Sequence, residues 1–305
     1  MILRSFDELI EKTKGFSSPR RVVVVASAAE HALKAVLRAQ KDGLVKPVLV
    51  GDKAKTLEIL SHLGAVAPDQ DTYQDIYDVP DDDEAARKAV SLIREGKGDF
   101  LMKGKLETAQ MLKPVVNKET GLGTGGLMSN FVIFQAPRYH KLLVVTDGGM
   151  VTYPTLEQKK AIIKNTVETL KALGYENPKI GVLAAVEKLN PKMPETVDAD
   201  ALRRMNAEGE IKDCIVEGPI SLDLALDPEA AVIKGYKSPV AGDADVLIVP
   251  NIHTGNALGK SILLFGGGRM ANFIVGAKVP IVLASRASSV EEKYLSLMVA
   301  ATVSP

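Results

Sequence analysis

Ser285 and Arg286 lie between a short apolar segment and a helical segment near the end of the chain. The preceding residues, VPIVLA, are typical of a buried strand, and the residues that follow, 289–303, are typical of a helix. Backbone N–H groups at a helix start, together with the helix dipole, favour an anion, and an arginine adds a planar set of donors suited to phosphate oxygens. This turn therefore fits an anion site, although an arginine paired with a carboxylate at a strand end would give the same pattern.

Glu292 has two interpretations. Residues 288–292 (SSVEE) contain two overlapping capping boxes of the S-x-x-E type. If Ser289 caps the helix, Glu292 closes the box and is structural. If Ser288 is the cap, Glu291 closes the box and Glu292 is free to face a ligand. On spacing alone, the structural interpretation of Glu292 is favoured.

Short polar groups also follow the other predicted strands. In parallel α/β sheets, ligands bind beyond the carboxyl ends of the strands. The residues at these positions are Ser27, Lys103, Gly104, Asp147, Gly148, Gly149, Glu187, Lys188, Asn251, His253, Thr254, Gly255 and Asn256. Glycines and small polar side chains at such positions fit phosphates and polar carbonyl groups.

Several common catalytic motifs are missing. Residues 254–261 (TGNALGKS), predicted to lie before a helix, lack the P-loop spacing, and residues 266–270 (GGGRM) lack the dinucleotide-binding spacing and predict a close packing turn. The sequence has no G-x-S-x-G nucleophile elbow and no His or carboxylate cluster that suggests a metal. These absences argue against a nucleotide-binding loop, a serine hydrolase and a metalloenzyme.

Composition limits the kinds of ligand and the cellular compartment that fit this chain. Lys plus Arg and Asp plus Glu number 38 each, so the net charge is zero and no overall electrostatic field attracts nucleic acid or an anionic membrane. An anionic ligand would therefore need a local cluster of positive charges. The single cysteine, Cys214, excludes an internal disulfide and fits a reducing compartment. The charged N-terminus is unlike a signal peptide, and the apolar runs are far shorter than the ~20 residues of a membrane helix. We therefore expect a cytoplasmic protein.

The elements that must position these residues alternate along the chain. Apolar strands at 20–27, 46–52, 99–104, 140–149, 179–187, 244–251 and 279–286 are separated by helices at 28–43, 53–64, 83–98, 108–117, 156–174 and 289–303. Continuous Val/Ile/Leu strands separated by helices predict an α/β protein with parallel sheets covered on both faces. The weakest periodicity lies at 121–134, where the chain could cross between domains.

The order and spacing of several segments together resemble the phosphate acetyltransferase/phosphate butyryltransferase family, with length and motif style closer to the butyryltransferase branch. The similarity is densest at 103–126 (KGKLETAQMLKPVVNKETGLGTGG), 146–168, 184–202, 217–226 and 242–293. The resemblance implies two parallel-sheet three-layer α/β domains like those of isocitrate and isopropylmalate dehydrogenases, with the active site in the cleft between them. The first domain would combine residues 1–125 and 278–305, and the second would span 126–277. Family members usually form homodimers.

The resemblance also implies residue roles. Ser285 would hydrogen-bond the acyl carbonyl, Arg286 would bind phosphate, and Glu292 would take the proton of the coenzyme A thiol, which reverses the preference stated above. Lys113 falls where acetyltransferases place a phosphate-binding arginine, although a helix-surface lysine is an equal alternative. The remaining substrate-binding candidates are Lys103, Thr124, Asn251, His253, Thr254, Gly255, Asn256 and Lys260.

The implied reaction moves a short acyl group, butyryl or acetyl, between coenzyme A and inorganic phosphate by direct thiol attack on an acyl phosphate. Coenzyme A would be a substrate, with no permanently bound cofactor or metal, and no nucleic-acid or membrane partner. Gly123 and Asn130 depart from the family pattern, which has an arginine and a histidine there. They leave open a non-catalytic or altered coenzyme A-binding protein, and an NAD- and metal-dependent hydroxy-acid dehydrogenase of the same fold is the other alternative.

Overall fold

A computed structural model describes residues 2–13, 18–65, 75–285 and 287–305 of the chain. The chain divides into two compact units. We call them the central unit (Met1–Phe6 with Leu127–Met270) and the split unit (Asp7–Gly126 with Ala271–Pro305). Each unit contains its own series of β-strands with helices between them.

The elements follow one another in a regular alternation. The first part of the chain contains α1 (Phe6–Thr13), β1 (Arg20–Val25), α2 (Glu30–Lys41), β2 (Val45–Gly51), α3 (Lys53–His62), β3 (Ile76–Asp78), α4 (Asp82–Arg94), β4 (Phe100–Lys103) and α5 (Thr108–Val115). Then come β5 (Ser129–Gln135), β6 (Leu143–Thr146), α6 (Leu156–Ala172), β7 (Lys179–Leu183), α7 (Pro194–Ala207), β8 (Ile215–Ile220), α8 (Leu222–Leu226), α9 (Pro228–Ile233), β9 (Val246–Ile248) and α10 (Ile252–Leu264). The chain ends with β10 (Arg269–Val275), β11 (Ile281–Val282) and α11 (Val290–Val303).

The strands of the split unit follow the order β3-β2-β1-β4-β11-β10. Strands β3, β2, β1, β4 and β11 are parallel, and β10 runs antiparallel to β11. The four consecutive valines at 22–25 of β1 are buried, as expected for an inner strand covered on both faces. Helix α11 is buried along most of its length, which explains why its sequence is apolar on nearly every side.

The strands of the central unit follow the order β5-β6-β9-β7-β8. Strands β6, β9, β7 and β8 are parallel, whereas β5 runs antiparallel to β6. Side chains of these strands and of α8 and α9 form one hydrophobic core that includes Val145, Ile220 and Leu247. The strands of each unit are mostly parallel and are joined by helical crossovers, which confirms the predicted α/β class.

Several strands have no counterpart in the sequence-based assignment. Strand β5 lies in the segment of weak periodicity, where four glycines precede the run SNFVIFQ. The assignment also missed β8 and β10, and β5 and β10 are the strands that pair antiparallel to a neighbour. Such strands do not follow the repeating strand–helix pattern from which the other elements were predicted.

The predicted position of the TGNALGKS segment is wrong. It lies inside α10 rather than before a helix, because Asn251 already caps that helix by accepting a hydrogen bond from the Thr254 N–H at 3.1 Å. The two glycines of the segment allow close packing: a Cβ atom on Gly259 would lie 3.0 Å from the ring of Phe134. Glycine, normally unfavourable within a helix, is retained here because the helix lies close to its neighbours.

Within the described residues, no helix combines the length and apolar character needed to cross a bilayer. The same part of the chain holds no group of three or more His, Cys, Asp or Glu side chains arranged to bind a metal ion.

Candidate active site

Ser285 lies in the turn between β11 and α11, as predicted from the sequence. Its side chain is exposed, and its hydroxyl oxygen accepts a hydrogen bond from the Ala287 N–H at 3.3 Å. The N–H of Ser288 donates to the carbonyl oxygen of Ser285 at 3.1 Å and closes the turn. Arg286, the predicted phosphate-binding residue, lies outside the described residues.

Ser289 is the N-cap of α11, and Glu292 closes its capping box. The Glu292 N–H donates to Ser289 Oγ at 3.1 Å, and the Ser289 N–H donates to Glu292 Oε2 at 3.3 Å. The alternative box with Ser288 as the cap is not formed, and Glu291 instead forms an ion pair with Arg38 on α2. Among the described residues, Oε1 of Glu292 accepts no hydrogen bond, so one oxygen of this carboxylate is still available.

Lys293, which the sequence analysis did not select, lies directly below this turn. Its side chain is buried, and its ammonium group donates to the carbonyl oxygens of Ser285 at 3.0 Å and Ser288 at 2.7 Å. Burial lowers the pKa of Lys293; the Glu292 charge opposes this shift, and the positive charge of Lys103 adds to it. A charged residue at an inward position of an otherwise apolar helix was the signal that could have identified it.

Lys103 ends β4 and is likewise buried, with its ammonium group donating to the carbonyl oxygen of Leu106 at 3.0 Å. Lys103 directly follows Met102, which pairs with Val282 of β11, so β4 ends beside the strand that leads into the Ser285 turn. The structure thus brings Ser285, Glu292, Lys103 and Lys293 into one part of the split unit. Three of these four were predicted from the sequence.

Two further candidates of the split unit lie on its surface. Lys113 is exposed on α5. Thr124 is exposed and donates its hydroxyl to the carbonyl oxygen of Gly276 at 2.9 Å. The neighbouring Gly123 forms an isolated antiparallel bridge with Ala277. Within the described residues, no hydrogen bond or ion pair joins Lys113 or Thr124 to the Ser285 turn.

The candidates of the central unit cluster at the start of α10. The carboxamide oxygen of Asn251 accepts hydrogen bonds from both the N–H and the hydroxyl of Thr254. His253 is exposed, and its Nε2 atom lies 3.0 Å from the hydroxyl of Tyr153. Asn256 and Lys260 are exposed along the same helix. Asn251 therefore has a capping function that the sequence analysis did not anticipate.

Gly255 is buried because α10 packs against the loop that follows β6. A Cβ atom on Gly255 would lie 2.6 Å from Gly148 Cα, and one on Gly148 would lie 2.9 Å from the Gly255 carbonyl carbon. The same loop is held by Asp147, whose carboxylate accepts hydrogen bonds from the backbone N–H groups of Asn130, Gly149 and Met150. Burial raises the pKa of Asp147, and these N–H donors oppose the increase. Gly255 therefore contributes a close backbone approach rather than a side-chain contact.

The described residues form two pockets. One, of about 480 Å³, lies along α6 in the central unit and is lined by Lys160, Lys164 and Ile211 among others. The other, of about 360 Å³, lies at the carboxyl ends of β1 and β2 in the split unit and is lined by Asp52, Lys105 and their neighbours. Neither is lined by a residue that the sequence analysis selected.

A sequence model of a family described as "Phosphate acetyl/butaryl transferase" matches residues 79–301. A phosphate butyryltransferase of Clostridium acetobutylicum is 41% identical over 302 residues, which cover 99% of each chain. A phosphate acetyltransferase of Thermotoga maritima is 39% identical over 295 residues, covering 97% of this chain and 98% of the relative.

A solved structure of a phosphotransacylase is also similar over nearly the whole chain. The branched-chain phosphotransacylase from Enterococcus faecalis V583 superimposes with a TM-score of 0.81 at 33% identity, and the match covers 93% of this chain and 99% of the other. The similarity therefore extends over both compact units and is not confined to one motif.

Proposed function

The chain belongs to the phosphate acetyl/butyryl transferase family, and from that premise we propose how its residues carry out acyl transfer. The resemblance inferred from the sequence is confirmed. The protein is an acyltransferase that moves a short acyl group, butyryl or acetyl, between coenzyme A and inorganic phosphate. Full-length similarity to such enzymes supports this activity over an NAD- and metal-dependent dehydrogenase of the same fold.

The proposed reaction centre is the turn between β11 and α11. The observation that carries it is the arrangement of Glu292, which uses Oε2 in the capping box and keeps Oε1 available. The cap and the catalytic role are therefore compatible, because a carboxylate has two oxygens and the cap fixes the orientation of the second. Ser285, at the start of the same turn, presents an exposed hydroxyl as a hydrogen-bond donor.

In the direction that forms acyl-CoA, the thiol sulfur attacks the carbonyl carbon of the acyl phosphate. A free thiol has a pKa of about 8.5, so most of the coenzyme A is protonated near neutral pH and needs a base. Glu292 accepts the thiol proton, the Ser285 hydroxyl stabilises the oxyanion, and cleavage of the carbon–oxygen bond releases phosphate. In the opposite direction, phosphate attacks acyl-CoA and the protonated Glu292 returns its proton to the departing thiolate.

The phosphate group is assigned to Arg286, with Lys113 as the second candidate. A guanidinium group matches phosphate oxygens with paired donors, and an ammonium group adds a single positive charge. Neither assignment requires a covalent enzyme intermediate. Support comes from the family resemblance at these positions and from the position of residue 286 beside Ser285 in the sequence.

The remaining candidates stay predictions. They are Lys103, Thr124, Asn251, His253, Thr254, Gly255, Asn256 and Lys260 as substrate-binding residues. Three structural features also remain predictions: the domain boundaries, the active-site cleft between two domains like those of isocitrate dehydrogenase, and the homodimer. The cytoplasmic location and the use of coenzyme A as a substrate, without a permanently bound cofactor, remain predictions as well.

A thiol-release assay tests the proposal. Acetyl-, propionyl- and butyryl-CoA are each mixed with the enzyme in the presence and absence of inorganic phosphate, and free thiol is followed over time. Phosphate-dependent release is expected with at least one of the three substrates. Binding of coenzyme A without turnover would instead support the non-catalytic alternative suggested by Gly123 and Asn130.

A further inference from the structure

Lys293 is a buried cation whose hydrogen bonds go to the backbone of the turn. Only 5% of its surface is exposed, in a stretch of α11 where the next eight residues are also buried. Burying an ammonium group is costly unless it is hydrogen-bonded. Its ammonium group donates to two backbone carbonyl oxygens, and these hydrogen bonds compensate part of the cost of burial.

The two acceptors lie at opposite ends of the turn at residues 285–288. Ser285 starts the turn and Ser288 ends it, immediately before the cap of α11. The Ser285 carbonyl oxygen also accepts a hydrogen bond from the Ser288 N–H at 3.1 Å. This oxygen therefore accepts both the backbone bond that closes the turn and a bond from the Lys293 ammonium group. Loss of the ammonium group would leave the Ser288 carbonyl oxygen without this 2.7 Å donor and the turn with a single closing bond.

Within the described residues, charged side chains act on the Lys293 ammonium group only from beyond ion-pair distance. Within the described part of the chain, no carboxylate oxygen lies within 4 Å of its ammonium nitrogen, and the acting neighbours are Glu292, which is negative, and Lys103, which is positive. Lys103 itself is only 4% exposed. The hydrogen bonds described for the Lys293 ammonium group therefore go to backbone carbonyl oxygens and not to a carboxylate.

We propose that Lys293 is a positioning residue for acyl transfer, which holds the Ser285 hydroxyl in its reactive position by tying together the two ends of the 285–288 turn. The proposal rests on the role assigned to Ser285 in the proposed function. Lys293 does not touch the substrate: it acts through the backbone of Ser285. Small displacements of a catalytic group are costly, since the reacting atoms must be held in a narrow range of geometry.

The variant Lys293→Met removes the ammonium group and keeps an unbranched side chain. Tyr294→Phe is the matched control, because Tyr294 is the next buried residue of α11 and loses one hydrogen bond, to Asp42 at 2.8 Å, on the side facing α2. Thermal stability is measured for both, and kinetics are measured well below both melting temperatures. We expect Lys293→Met to lower kcat at least tenfold with a KM for acyl-CoA within twofold of the wild type, and Tyr294→Phe to keep kcat within twofold.

A second measurement needs no turnover. Hydrogen exchange of the Ser288 amide should become at least tenfold faster in Lys293→Met and stay unchanged in Tyr294→Phe. If Lys293→Met does not fold, Lys293→Gln, which keeps a neutral donor, replaces it in both measurements with the same expected direction. A folded Lys293 variant with wild-type kcat, or with unchanged exchange at Ser288, would overturn the proposal. A wild-type enzyme that shows no phosphate-dependent thiol release but whose Ser288 exchange responds to Lys293→Met would contradict the proposed function and not the structural role of Lys293.

Discussion

The carboxylate of Glu292 accepts a hydrogen bond from the backbone N–H of Ser289, the residue that caps the same helix, at 3.3 Å. This bond uses one carboxylate oxygen and fixes the direction of the other. The two interpretations of Glu292 that the sequence leaves open are therefore not exclusive. A helix cap can serve as the support of a catalytic base, and substitutions that separate the two functions can test this.

Glu292→Gln should lower kcat by roughly 10²- to 10⁴-fold, the usual contribution of a general base. Glutamine is also found at this position of capping boxes, so the cap and the thermal stability should be retained. Steady-state kinetics and a coenzyme A binding isotherm check the expectation, with affinity for coenzyme A nearly unchanged. Full activity in this variant would leave Glu292 with its capping function alone.

Ser289→Ala removes the side-chain cap but leaves the carboxylate of Glu292 in place. It should lower the free energy of unfolding by about 1 kcal/mol, as cap removals typically do. It should also lower kcat severalfold, because a helix start without its side-chain cap holds the Ser289 N–H less firmly against the Glu292 carboxylate. Thr155→Ala is the matched control, since Thr155 and Gln158 form the same box at the start of α6. Urea titrations should give similar losses of stability for both variants. Equal kcat values in the two variants would contradict an orienting function of the cap at α11.

Arg286→Ala should raise the KM for phosphate by about 10- to 100-fold, because a hydrogen bond to a charged group contributes about 1.5–3 kcal/mol. The KM for acyl-CoA should stay within twofold. Lys113→Ala, measured in parallel, decides whether Lys113 is the second phosphate-binding residue or a surface lysine. Unchanged KM and kcat in Arg286→Ala would remove the assignment of this arginine.

Gly255→Ala should lower the free energy of unfolding by about 1–3 kcal/mol, the usual cost of overpacking. The added methyl group would lie 2.6 Å from Gly148 Cα, a backbone atom that cannot rotate away. Asn256→Ala, at the exposed neighbouring position of α10, is the control and should change stability by no more than about 0.5 kcal/mol. The measurement is equilibrium unfolding in urea. Wild-type stability in Gly255→Ala would show that α10 can move away from the loop after β6.

The stability of the central unit should depend on pH through Asp243. Burial would raise the pKa of Asp243, but hydrogen bonds from Lys179, Lys141 and His140 outweigh burial and lower this pKa well below its usual range. A carboxyl group whose pKa is lower in the folded than in the unfolded state stabilises the fold above its unfolded pKa, near 4, and that stabilisation is lost as the pH falls further. The free energy of unfolding should therefore decrease between about pH 4 and pH 2.

Asp243→Asn should be less stable than the wild type at pH 7 by about 1.5–3 kcal/mol and should show a weaker decrease in acid. The control is Asp213→Asn, whose exposed carboxylate pairs with Lys171 on the surface and should contribute little at pH 7. Unfolding curves at several pH values check this. An identical acid dependence in Asp243→Asn and the wild type would show that other groups control the acid response.

The sequence by itself determined the α/β class, the alternation of most strands and helices, the family and the turn that carries Ser285. These features depend on local patterns: continuous apolar strands such as β1, helix-start segments such as SSVEE at 288–292 and the ordered series of family segments. Each can be read within a short stretch of chain, because strand burial and helix capping are set by neighbouring residues.

Only the tertiary structure decided which capping box forms, that Asn251 caps α10, and that Gly255 meets Gly148. It also showed that Lys293 binds the carbonyl oxygens of the turn that precedes its own helix. These relationships join side chains and backbone atoms whose approach depends on how strands and helices pack. A sequence records the residue types at such positions, but the distances between them arise only when the packed chain brings the partners together.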